Sequence, residues 1–136
     1  MLLTSAHFRT LVLLFCLSTL GGCSQQDGPT RYKVSGQVTI NGKPAPAFHI
    51  FFRPDSAKGN SGPGAKVRGQ HGLYETRPNK GVSIGPHLVE IMAFNGVPNS
   101  ESNEGDALTK AYTTSVTLPA EDSEQNFDVP VSHLVQ

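Results

Sequence analysis

The sequence predicts an all-β domain over residues 32–136, an antiparallel sandwich of about seven short strands. Apolar residues there recur with a period of two, as a sheet with one buried face requires. Gly, Pro and Asn interrupt the pattern at short intervals, and no window carries a sustained helical stripe with a cap. Two sheets packed face to face are the simplest way to bury the alternating residues.

Two segments of different character precede this domain. Residues 1–22 begin weakly basic at His7 and Arg9, continue as an apolar run from Leu11 to Leu20 and end in the small Gly21 and Gly22, the three regions of a secretory signal. About ten apolar residues fall short of the roughly 20 that span a bilayer. The stretch Leu20-Gly21-Gly22-Cys23 resembles the lipobox of bacterial lipoproteins. That resemblance implies cleavage before Cys23, a diacylglycerol thioether on its sulfur and acylation, as by palmitate, of the new amino terminus. An ordinary signal peptide with an incidental Cys23 is the other reading.

At about 0.8 kcal/mol per buried methylene, one acyl chain holds a protein marginally and two hold it stably, so a membrane of the cell envelope is the expected address. Ser24, rather than Asp, after the cysteine favours the outer membrane or the periplasmic face. Residues 23–31 comprise the lipidated Cys23 and a polar tether that reaches at most roughly 25 Å. With Cys16 removed and Cys23 acylated, no disulfide is expected, and a mature chain of about 114 residues can bury one core without staples. Eleven basic and eleven acidic residues form no basic patch, which argues against nucleic acid.

Within the domain, Val34, Val38 and Ile40 share one face of a first strand with Gly36. Asn41-Gly42 follows, the dipeptide suited to a two-residue hairpin turn. Phe48, Ile50 and Phe52 then point inward, and a first hairpin between residues 33–40 and 47–53 is expected. Residues 55–64 read as an exposed loop, residues 66–69 and 73–76 as strands paired across Gln70-His71-Gly72, where Gly72 supplies the permissive backbone, and residues 81–85 as a connection. His87, Val89, Ile91 and Ala93 mark the inner face of the next strand. Residues 95–109 form a long polar loop, and strands at residues 111–118 and 126–131 complete the sandwich.

The motifs Val34-Ser35-Gly36-Gln37-Val38, Asn41-Gly42-Lys43-Pro44, Gly72-Leu73-Tyr74, Gly85-Pro86-His87-Leu88-Val89-Glu90-Ile91 and Phe127-Asp128-Val129, in that order, resemble carboxypeptidase regulatory-like domains of the transthyretin-like (prealbumin-like) sandwich group. By pattern the chain is similar to the small secreted lipoproteins of planctomycete-type bacteria. The resemblance implies that Tyr74 and His87 close the ends of the core, where hydroxyl and imidazole need hydrogen-bond partners.

Catalytic constellations are not found. His49, His71, His87 and His133 lie on separate segments with no paired metal-ligand spacing, and no cofactor is expected. Transthyretin-like hydroxyisourate hydrolases end in Tyr-Arg-Gly-Ser, whereas this chain ends Ser132-His133-Leu134-Val135-Gln136. No serine sits in a Gly-x-Ser-x-Gly elbow. The acidic residues Glu101, Glu104 and Asp106 miss the EF-hand spacing, because Gly105 comes one place late and Lys110 stands at the closing position.

Two functional classes follow from the sequence. The first is a non-catalytic module, held by lipid, that binds an envelope protein or glycan or serves a structural role there. The outward Phe51, Leu88, Met92 and Phe94 favour it as an apolar sheet face. The second is a small transthyretin-like hydrolase or ligand carrier, which requires His49, His87 and Arg53 to converge on one cleft. The loop at residues 95–109, with Glu101, Asn103, Glu104 and Asp106, is the candidate binding loop, longer than ordinary connections. As a solvated loop, its replacement by a Gly-Ser linker is expected to leave the melting temperature nearly unchanged.

Overall fold

The computed structural model describes residues 28–77 and 80–136, and Cys23 with the signal segment lies outside them. Among the described residues the chain is all-β and has no helix long and apolar enough to cross a membrane. Its strands are β1 (Arg31–Tyr32), β2 (Val34–Ile40), β3 (Lys43–Pro44), β4 (Ala47–Pro54), β5 (Ala65–Gln70), β6 (Leu73–Glu75), β7 (Val82–Ser83), β8 (Gly85–Phe94), β9 (Tyr112–Leu118), β10 (Ser123–Glu124) and β11 (Phe127–Val129). The main sheet runs β10-β2-β6-β5-β4-β8-β9, with β3 and β11 also paired to β2 and a small separate β1-β7 pair.

That order cannot be flat. Seven strands side by side place the outer two roughly 29 Å apart. Residues 119–122 are the whole connection from β9 to β10, and they span at most about 17 Å. The sheet therefore curls until its two ends approach, enclosing one core. Phe48, Ile50 and Phe52 of β4, Val89, Ile91 and Ala93 of β8, and Val34 and Val38 of β2 are all buried there. Phe52 meets Phe127 of β11 with ring centroids 6.4 Å apart, and Tyr74 lies against both rings.

The expected two-residue turn at Asn41-Gly42 forms, and the second connection is tighter than expected, because Gln70 pairs with Leu73 and leaves only His71 and Gly72 in the turn. Asn41 and Gly42 take φ of 50° and 77°, and His71 and Gly72 take 53° and 78°, the paired left-handed values of the tight hairpin turn. The strands they join nevertheless find other partners. The expected first hairpin is only two residue pairs long, Ile40 with Lys43 and Thr39 with Pro44. Pro44 and Pro46 lack the N–H that a continued ladder needs. Ala45 still donates to Val38, but the Ala45 and Pro46 carbonyls accept from Gly72 and His71. The chain has by then passed to the next turn, so β6 lies beside β2 and β5 beside β4. The β5-β6 hairpin itself closes at one pair, Gln70 with Leu73, before its arms diverge.

Two further expectations are corrected. The antiparallel arrangement holds for β2 to β9, but β10 and β11 run parallel to β2. The reason is where the chain re-enters: β9 ends beside Gly85, and the short connection delivers Ser123 beside Val34 at the same end. Residues 81–85 and Arg31 are not mere connection and tether either, since Arg31 pairs with Ser83 and Tyr32 with the buried Val82. The loop at residues 55–64 is also partly tied down. Buried Asp55 accepts the Ala57 amide, and Asn60 donates to the Pro86 and Ile84 carbonyls.

The C-terminal strand locks onto β2 at Gly36. Gln125 donates its amide to Ser35, Asn126 Oδ1 accepts the Gln37 amide, and the Tyr74 hydroxyl donates to the Gln125 carbonyl at 2.7 Å. Burial, and secondarily the charge of Glu124, pushes the Tyr74 phenol well above its ordinary range, keeping it a donor. A side chain at residue 36 would overlap the Gln125 carbonyl, whose carbon would lie 2.7 Å from its Cβ. At Gly42, by contrast, nothing lies within 4 Å and only the turn geometry matters. Gly36→Ala is expected to lower stability by about 3 kcal/mol through overpacking of fixed backbone, and Gly42→Ala by about 1 kcal/mol through positive φ alone. Urea unfolding of the two variants measures the difference.

Candidate functional site

The site forms where the long loop folds back on the outer face of the sheet. Along β4 the even residues enter the core, which sends His49, Phe51 and Arg53 outward beside Arg68 and Lys66 of β5 and Met92, Glu90 and Leu88 of β8. Glu104 reaches this face from the loop. Its Oε1 accepts from His49 Nε2 at 3.1 Å and lies 3.4 Å from Arg68. Its Oε2 accepts from the Ser102 hydroxyl at 3.1 Å. The hydrogen bond from His49 is the main cause that holds the Glu104 carboxyl below its ordinary value of 4.5, with Ser102 and Arg68 adding to it against partial desolvation.

The rest of the loop is shaped by its own amides. Asn95 and Gly96 donate backbone N–H groups to the Asp106 and Glu104 carbonyls. Asn95 Oδ1 accepts the Val97 amide, and Asn99 Oδ1 accepts those of Glu101 and Ser102. The Asp106 carboxylate accepts from both asparagine side chains. Beneath the loop Ala47 is only 4% exposed although it stands on the outer face, and Thr109 is buried with its hydroxyl accepting the Ala93 amide. The loop is thus a docked element, and the expectation that its removal leaves the melting temperature unchanged is corrected: removal uncovers Ala47 and His49.

Between the loop and the diverging β5-β6 arms lies a cleft of about 800 Å³. Arg68, Gln70, His71, Glu75, Asn95 and Asn103 supply its polar groups, while Phe48, Gly69 and Tyr74 form its floor. Exposed Leu73 stands at the rim. The four candidate loop residues divide between two roles. Glu104, half-buried, faces the sheet; Asp106 is exposed but bonded to the loop's own asparagines, and Glu101 and Asn103 are exposed. Amides, carboxylates and a guanidinium around an apolar floor can hold a polar ligand by hydrogen bonds.

The outward apolar residues are largely covered. Lys66 Nζ sits 4.9 Å from the Phe51 ring centroid, and the Phe94 ring packs 5.1 Å from that of His49. Leu88 is half-buried, and Met92 is the member left open. The histidines required for the second class do not meet. His87 is fully buried in the core, where Nδ1 donates to the Gly85 carbonyl at 2.9 Å and Nε2 faces the Ser83 hydroxyl at 3.4 Å. His49 and Arg53 occupy the opposite face, with Arg53 beside Glu90 at 3.5 Å. Both core-closing groups named from the sequence, Tyr74 and His87, have hydrogen-bond partners. Among the described residues no three His, Cys, Asp or Glu side chains converge as metal ligands.

The His49-Glu104-Arg68 contact had no signal in the sequence, because 55 positions separate its first two members. No family model matches the chain, and no curated protein is significantly similar to it.

Because the folded Glu104 carboxyl lies below its ordinary value, its contribution to loop docking is complete above 4.5 and is lost as pH falls through the lowered folded value. Hydrogen exchange at the Gly96 amide, which the Glu104 carbonyl accepts, is expected to accelerate on that acidification. Glu104→Gln is expected to show the faster exchange already at neutral pH, with core amides of β4 unaffected.

Proposed function

We propose that the chain is a lipid-anchored lipoprotein of the cell envelope whose β-sandwich domain is a non-catalytic module for binding an envelope protein or glycan. In this reading residues 1–22 are a lipoprotein signal, Cys23 carries the lipid and residues 24–30 are the free tether. The resemblance to transthyretin-like, carboxypeptidase regulatory-like lipoproteins of planctomycete-type bacteria supports the fold and the address.

The observation that supports the binding role is the polarity of the domain. Residue 28 enters beside β1, whose partner β7 leads into the start of β8. The docked loop leaves the far end of β8, ten residues on, or about 30 Å at roughly 3.3 Å per residue. A lipid at Cys23 therefore holds the end bearing residues 55–64 toward the bilayer and turns the loop and its cleft outward. Polar side chains that are already fixed by docking can engage a partner with little further ordering cost.

Labelled palmitate supplied to producing cells is expected to enter the wild-type chain and not Cys23→Ala; an unlabelled wild type would overturn the anchor. A photo-crosslinking side chain at Asn103, on the cleft rim, is expected to capture a specific envelope protein or glycan, and the same group at Ser61 to capture none. Equal capture at both ends would contradict the binding reading while leaving the anchor standing.

A further inference from the structure

Among the described residues, the outer edge of β9 is left without the usual protection. β9 pairs with β8 on one side, and no described strand covers the other. The C-terminal tail guards the residues before it and the first residue of the strand: Lys110 donates its amide to His133, Val135 donates to Leu108, Leu134 bridges Thr109, and the His133 ring packs 5.1 Å from that of Tyr112, which leaves the edge open from Thr113 onward. From Tyr112 to Leu118 the strand reads Tyr-Thr-Thr-Ser-Val-Thr-Leu, with no charge and no proline. In an antiparallel pair every second residue turns its amide and carbonyl away from its partner, so this edge presents an unanswered row of donors and acceptors. Sheet edges that stay single carry Lys, Pro or bulges.

The other long edge shows that protection. β5, beyond its one pair with β6, bears the exposed Lys66 and Arg68. Two copies meeting there around Val67 would set Lys66 against the second copy's Arg68, a like-charge contact.

We propose that β9 is the pairing edge for a second copy of this chain, joined antiparallel about a two-fold axis through Ser115. This register sets Thr113 opposite the second copy's Thr117, Thr114 opposite Val116 and Tyr112 opposite Leu118. It opposes hydroxyl and β-branched residues, pairs that favour sheet association. It also carries Lys110 toward the end of the second copy where Glu121 lies. Both are exposed, and neither forms an ion pair among the described residues. The charges flanking the neutral strand are thus complementary under the two-fold, and an isologous contact closes at two chains.

The pairing does not rest on the lipid anchor. Because the strands run antiparallel, the second copy's amino-terminal end lies toward the first copy's loop. A pair anchored through both tethers lies with its strands along the bilayer, whereas a single copy stands upright.

The test uses the full chain purified with whatever modification it carries. Ser115→Cys is expected to give a disulfide-linked dimer under mild oxidation, since residues facing across such an axis sit within bridging distance. Wild type and Ser61→Cys are expected not to. Thr113→Cys and Thr117→Cys are expected to cross-link when mixed and not when alone. Ser115→Lys, on an exposed position, is expected to halve the mass seen by light scattering. Cross-linking of Ser115→Cys no faster than Ser61→Cys, or a wild type of single-chain mass at every concentration, would overturn the proposal. If Ser115→Lys does not fold, the cross-linking pattern alone decides.

Discussion

The fold depends on the bare backbone of Gly36. β2 carries β6 on one side and the parallel pair β10 and β11 on the other, and the latter two can reach it only because residue 36 has no side chain under the Gln125 carbonyl. That approach seats Phe127 over Phe52 and gives the Tyr74 hydroxyl its acceptor. A large side chain buried in this way contributes about 1.5–3 kcal/mol by transfer from water alone. The closure is fastened again at its far end, where Asp128 accepts from the Thr39 hydroxyl and the Gly42 amide. Those two bonds, Thr39 first, hold the Asp128 carboxyl below its ordinary range.

Closing the sheet at Gly36 also fixes what each end of the domain can do. The end that receives residue 28 is stitched by β1 and β7 and by Arg31, which donates to the Gly81 and Pro63 carbonyls. The opposite end collects the turns at residues 41–42 and 71–72, the docked loop and the C-terminal tail. Glu104 binds the loop to the sheet through His49 and Arg68, so the cleft wall is set by charge-assisted bonds rather than by a core of its own. The end that receives residue 28 and the cleft are separated because β8 is long and continuous.

Local chemistry was legible in the sequence, and partnership was not. Period-two alternation identified Phe48, Ile50 and Phe52, and likewise His87, Val89, Ile91 and Ala93, as inward, and each is buried. Asn41-Gly42 announced its turn, and Gly72 the next, through the backbone conformations those residues tolerate. Which strand lies beside which depends on contacts far apart in the chain. Pro44 and Pro46 forbid a long first hairpin, yet nothing local says that residues 71–72 will take up their carbonyls. The parallel run of β11 follows from the brevity of residues 119–122, which becomes meaningful only once the sheet order is known. Glu104 looked like one acidic residue among several, and its place against His49 is a tertiary fact. The expectation for Cys23 rests on sequence alone and lies outside the described residues.

The proposed anchor at Cys23 and the cleft belong, in this reading, to opposite ends of the domain. This placement is tested most directly by attaching a fluorophore at Asn103 or at Lys58 of the full chain, reconstituted at one copy per vesicle, and measuring energy transfer to an acceptor on the lipid headgroups. Strong transfer is expected from residue 58 and weak transfer from residue 103. Equal transfer from the two positions, or stronger transfer from residue 103, would contradict it.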